Sequence, residues 1–102
     1  MSSLKEQHDF GFNFVFEEDS NQDLIFNTVA RPVIDNCLEG FNGTIFAYGQ
    51  TGSGKTFTMS GGDEWETRGI IPRVIGYLFS QFYRAKHKFA YELSVSYIEI
   101  YN

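Results

Sequence analysis

The run Gly49-Gln50-Thr51-Gly52-Ser53-Gly54-Lys55-Thr56 has the spacing G-x-x-x-x-G-K-S/T of a phosphate-binding loop. Each residue type in it has a job on an anion. Glycines let the backbone turn tightly and aim several N–H groups at one point. Lys55 supplies a flexible point charge that reaches β- and γ-phosphates. The Thr56 hydroxyl is a hard oxygen ligand suited to the Mg²⁺ that bridges them. Chance would place two such glycines, a lysine and a hydroxyl residue in well under about one chain in a hundred of this length.

Such a loop works only between a strand and a helix. Thr44-Ile45-Phe46-Ala47-Tyr48 is a short, mostly apolar run that predicts a buried strand. Lys55-Thr56-Phe57-Thr58-Met59 predicts a helical turn, with the positive end of its dipole at the phosphates. Upstream, Phe10, Phe12, Phe14 and Phe16 alternate, predicting a strand with one aromatic face. A helix should then start with Ser20 as N-cap and Asp23 in its first turn. Its apolar stripe is Ile25, Val29, Val33 and Cys37, and Gly40 should stop it. Pro32 lies inside that helix and should kink it or cost about 3 kcal/mol. Cys37 reads as a buried core thiol.

Downstream, Ser60 to Gly69 reads as an exposed loop, with Trp65 either packing back on the body or lining a small pocket. A second helix should carry Pro72 in its first turn and an apolar face of Ile71, Val74, Ile75, Leu78, Phe79 and Phe82. Arg84, Lys86 and Lys88 at its end read as solvated. A long strand follows from Phe89, with a slip of phase near Tyr97.

The 102 residues allow one small domain. A net charge of −5 disfavours nucleic acid or an anionic membrane as partner. One cysteine permits no internal disulfide and points to a reducing compartment. No apolar run has spanning length, Met1 to Asp9 has no signal-peptide core, and His8 and His87 lack ligand-spaced partners for zinc. The order of elements gives an α/β class, a mixed sheet with flanking helices.

The words flanking the loop resemble the kinesin motor domain. Asn42 through Met59 is similar to that family's nucleotide-loop signature. Phe12-Asn13-Phe14-Val15-Phe16 with Gln22, Arg68-Gly69-Ile70-Ile71-Pro72-Arg73, and Val95 through Asn102 resemble further family words in the same order. Asn13 departs from the family's usual Asp, and Pro32 is a second departure. The resemblance implies ATP and Mg²⁺ as ligands. Gly49, Gln50, Thr51, Gly52, Ser53, Gly54, Lys55 and Thr56 would wrap the phosphates, Thr56 would hold the metal, and Phe57 would lie near the adenine.

The resemblance also implies a microtubule partner and a place in the cytoplasm on the cytoskeleton. The family's first strand has no match in Met1 to Asp9, and both switch segments and the track-binding elements would lie after Asn102. No complete catalytic set is therefore expected within residues 1–102, which read as a partial, marginally folded motor domain that binds nucleotide weakly. Three alternatives stand beside this: a nucleotide-binding module without turnover, another class of phosphate-loop enzyme such as a small-molecule kinase or GTPase, and a structural α/β domain with an empty loop.

Overall fold

The structure is a computed structural model that describes residues 6–101. Readings that involve Met1–Lys5 or Asn102 lie outside the described residues. The elements are α1 (Gln22–Ile25), a π-helical turn (Phe26–Ala30), α2 (Arg31–Leu38), α3 (Lys55–Met59) and α4 (Ile70–Arg84).

The first helical unit starts one residue later than predicted. Asn21, not Ser20, is the N-cap: it has extended backbone, and its side-chain oxygen accepts from the Leu24 N–H at 2.8 Å. Asp23 sits in the first turn as expected. Pro32 does not produce a sharp break. The chain widens into the π turn just before it, with the Arg31 N–H donating to the Phe26 carbonyl, and Pro32 then falls in the first turn of α2. A proline inside a regular helix would drive its ring into the carbonyl four residues back and remove a hydrogen bond. A π turn is one of the few local changes that relieves this.

The wider turn also moves the buried stripe. Gln22, Phe26 and Ala30, spaced by four, are the buried residues of this unit. The predicted stripe is displaced: Val29 is exposed, Ile25 and Val33 are half-buried, and Cys37 is exposed rather than buried. Cys37 still packs close to the backbone, since a Cβ at Gly43 would come within 2.9 Å of its Sγ.

Helix α4 begins where the glycine–isoleucine–isoleucine–proline run predicts, with Pro72 in the first turn. Ile70 is buried, and Val74 and Tyr77 pack against the core formed by Phe26, Ala30 and Ile70. Phe26 and Tyr77 meet edge to face at 6.0 Å between ring centres. Much of the predicted apolar face points elsewhere: Ile71, Ile75 and Phe79 are exposed. At the helix end Arg84, Lys86 and Lys88 are exposed, as expected of a solvated terminus.

No strand forms among the described residues; the one β-bridge joins Gly61 to Arg68. The segments 10–16, 44–48 and 89–100, all predicted as strands, make no ladder with one another. Helix hydrogen bonds close within a segment, whereas a strand needs a neighbour alongside it. These three segments supply no such neighbour to each other, so the sheet predicted from them is not formed here. Most of their side chains are bare, from Phe10 and Phe12 to Val95 and Ile100, although Ile45 packs against the core and Tyr91 stacks on Phe82.

Candidate functional site

The predicted phosphate loop occupies residues 49–54 and runs directly into α3. Gly52 and Gly54 have φ of +82° and +101°, in the left-handed region where a side chain is strained. Of the two glycines the motif fixes, Gly54 is thus required by the backbone path, while a Cβ at Gly49 would meet the Ser53 side chain at 2.5 Å. A turn closes from the Ser53 N–H to the Gln50 carbonyl at 3.1 Å, and the Thr58 N–H returns to Gly54 at 3.0 Å. Among the described residues, the N–H groups of Gly54, Lys55 and Thr56 donate to no other backbone carbonyl. They are the unpaired donors that every helix start leaves over.

Lys55 is half-buried, and its Nζ donates to the Gly49 carbonyl across the loop. The ammonium is therefore held over the loop's own backbone. Thr56 is exposed at the head of α3, and Phe57 is half exposed. The residues predicted to act together are therefore brought together. The loop offers a cation, a hydroxyl and unpaired N–H groups, a donor set that fits a polyphosphate and a hard divalent cation.

A cavity of about 610 Å³ touches Ser53, Gly54, Lys55 and Phe57, but Ile25, Val29, Ile45 and Met59 form much of its wall. It lies along the core side of the loop and does not include Gly49–Gly52 or Thr56. With Glu17, Glu18 and Gln22 also on its wall it is a trench of mixed polarity beside the site, not the phosphate cradle.

Behind α3, the segment Ser60–Gly69 is more ordered than a polar loop predicts. Gly62 N–H donates to Thr67 O at 3.0 Å and Gly69 N–H to Ser60 O at 3.1 Å, which closes it as a small hairpin. Gly61 at its neck has φ +82°. Gly69 is pressed against α3: a Cβ there would lie 2.6 Å from the Met59 carbonyl oxygen. Trp65 does not pack back on the core. It is 71% exposed, lines a shallow cavity with Arg31 and Tyr77, and carries the Arg68 guanidinium 3.4 Å above its ring centre.

Two residues with no assigned role in the sequence reading hold this arrangement. Gln22, 6% exposed, donates through Nε2 to the Phe57 carbonyl at 2.7 Å and to the Thr67 carbonyl at 3.1 Å. Arg73 donates to the Arg68 and Glu66 carbonyls at 2.8 and 3.1 Å and pairs with Asp23 at 3.2 Å. The available signal for Gln22 was its position: an amide four residues before Phe26 and eight before Ala30. For Arg73 there was none beyond its place at the start of α4.

A family model described as the kinesin motor domain matches residues 1–102. Kinesin-like protein klp-20 of Caenorhabditis elegans is 49% identical over 94 residues, which is 91% of this chain and 15% of that protein. Human kinesin-like protein KIF15 is 46% identical, covering 100% of this chain and 8% of its own length. A crystal structure of the Drosophila kinesin family member Kin10/NOD in complex with divalent manganese and ADP superposes with a TM-score of 0.76. It is 34% identical, and the match covers 83% of this chain and 31% of that one. The chain thus spans a small part of the curated relatives it matches.

Proposed function

This chain belongs to the kinesin motor-domain family, and from that premise we propose that it is the ATP-gripping part of a microtubule motor. Members of the family are ATPases that move on microtubules. The observation that carries the reading is the loop itself: two glycines at positive φ, unpaired N–H groups at the head of α3, and the Lys55 ammonium turned back to the Gly49 carbonyl at the loop's start. The structural relative solved with divalent manganese and ADP supports a nucleotide and a divalent metal as the ligands.

In this reading Gly49 to Thr56 enclose the phosphates. Lys55 exchanges its bond to the Gly49 carbonyl for the β- and γ-phosphate oxygens, a stronger charge-assisted partner. Thr56 presents its hydroxyl to Mg²⁺, and Phe57 contributes an exposed aromatic face on the adenine side. A divalent cation held by the Thr56 hydroxyl would supply charge neutralisation at the phosphates. What the chain's own residues do is bind and orient. Grip on the ground state lowers no barrier unless further groups tighten on the transition state. Residues 1–102 alone are therefore proposed to bind nucleotide weakly without turning it over. The segments 10–16, 44–48 and 89–100 are proposed as strands of a mixed sheet whose other strands come from further parts of a longer motor. The microtubule contacts and the cytoskeletal location are proposed for that longer motor.

The test is Mg·ATP binding to the chain by calorimetry, with phosphate release followed alongside. Wild type should bind and release no phosphate above background, with or without microtubules. Lys55→Ala should weaken binding by about a hundredfold, the loss of a charge-assisted contact at a desolvated phosphate. Unchanged affinity in Lys55→Ala would reject the site, and microtubule-stimulated release would reject the claim that grip and turnover are separable here.

A further inference from the structure

The helix that carries Lys55 and Thr56 is only five residues long. It is too short to hold its own position by internal hydrogen bonds. Its last carbonyls need outside partners, as those of every helix do. The Gly61 N–H, which a continuing helix would turn toward Phe57, donates instead to Thr56 at 3.1 Å. The Phe57 carbonyl is met by Gln22 Nε2 from a helix 35 residues earlier in the chain. The second N–H of the same amide reaches the Thr67 carbonyl in the hairpin, so one buried side chain joins α1, α3 and the hairpin neck.

We propose that Gln22 is a positioning residue for the phosphate site, a remote cap that fixes the placement of α3 and with it the Lys55 and Thr56 side chains on the phosphates. This deepens the nucleotide reading above and rests on it. Gln22 touches no reacting group. Its effect runs through the Phe57 carbonyl, one residue from Thr56 and two from Lys55. The bond is made at the middle residue of α3, outside residues 49–54, so its loss shifts the helix and leaves the loop sequence intact. The interactions that suffer are those with phosphate oxygens, where a misplacement of an ångström is costly. Base contact through the exposed Phe57 ring shifts as well, but a stacking contact tolerates such a shift better than charge-assisted bonds to phosphate do.

The experiment compares affinities of the 102-residue chain for Mg·ADP and for AMP, in wild type and in Gln22→Met, which keeps the length of the side chain and removes both donors. The preference for Mg·ADP over AMP should fall about tenfold in the variant, the size of one or two buried hydrogen bonds. A residue that only stabilises the fold would lower both affinities together, through the folded fraction, and leave their ratio unchanged. An unchanged ratio in a variant that binds overturns the proposal. If wild type itself fails to bind Mg·ADP, the fault lies with the nucleotide reading instead. Should Gln22→Met fail to fold, the wild type still decides: the Gln22 side-chain amide signals in a ¹⁵N-labelled chain should shift on adding Mg·ADP by more than with adenosine, and an equal shift with both would overturn the proposal. No shift with bound Mg·ADP would overturn the proposal.

Discussion

Tyr77 donates its hydroxyl to the Asp35 carboxylate, joining α4 to α2. That hydrogen bond, with desolvation as the second cause, raises the phenol above its ordinary range. The Arg31 guanidinium, 5.2 Å above the ring, acts in the opposite direction and is outweighed. A raised folded-state value means that the folded protein holds this proton more tightly than the unfolded chain. The contribution is fully present below the ordinary tyrosine pKa of about 10 and is lost as pH rises through the raised value. The unfolding midpoint of the wild type should therefore carry a component that is flat through neutral pH and falls above about pH 10. Tyr77→Phe should remove that component and cost about 1–2 kcal/mol at neutral pH by denaturant titration. Gly69 offers a second test at this scale. Its missing side chain lets the start of α4 lie against the last turn of α3. Gly69→Ala should destabilise by about 1–3 kcal/mol, because the obstructing atoms are backbone and cannot rotate away. A loss under about 0.5 kcal/mol would show that the junction yields easily.

At the scale of elements, the π turn decides what proline costs. Pro32 sits in the first turn of α2, where a missing N–H matters little. Pro32→Ala should then change stability by less than about 1 kcal/mol in urea unfolding, and not by the gain of about 3 that relieving a mid-helix proline would give. Asn21→Ala should cost about 1 kcal/mol through loss of the cap, with Ser20→Ala nearly silent. These elements also show what was legible in the chain. The phosphate loop and the start of α4 could be read because their residues act on their immediate neighbours in sequence. The buried stripe of the first helix was read one position off: the apolar spacing assumed regular turns, and the π turn brings Gln22, Phe26 and Ala30 into line instead. Gln22 itself was hidden because a buried amide looks like any surface amide until its two carbonyl partners, 35 and 45 residues away, are in view. The alternating runs at 10–16 and 89–97 had the period of strands, but period cannot say whether a partner is present.

The whole molecule is extended. Its radius of gyration is 17.6 Å, where a compact chain of this length has about 13 Å. It exposes 9521 Å² of surface, where a compact monomer of its mass exposes about 5900 Å². Only Phe26, Ala30 and Ile70 form a buried apolar centre among the described residues. Amide exchange should accordingly be slowest in Phe26–Leu38 and Ile70–Tyr83, and near the unprotected rate in 10–16, 44–48 and 89–100. Protection near the global limit throughout would contradict this picture. Aromatic stretches as bare as Phe10 to Phe14 and Phe89 to Tyr101 should also make the isolated chain bind hydrophobic dyes and self-associate as concentration rises. The position of Trp65 has a practical consequence. It is the chain's single indole, it lies at the outer edge of the hairpin with Arg68 stacked on it, and the apolar centre contains no other. Fluorescence excited selectively at the indole, beyond the absorption of the six tyrosines, is therefore an optical channel for the hairpin alone. Circular dichroism follows the helices, so the two signals, recorded on one unlabelled sample, separate the loosening of that hairpin from the melting of the protein beneath it.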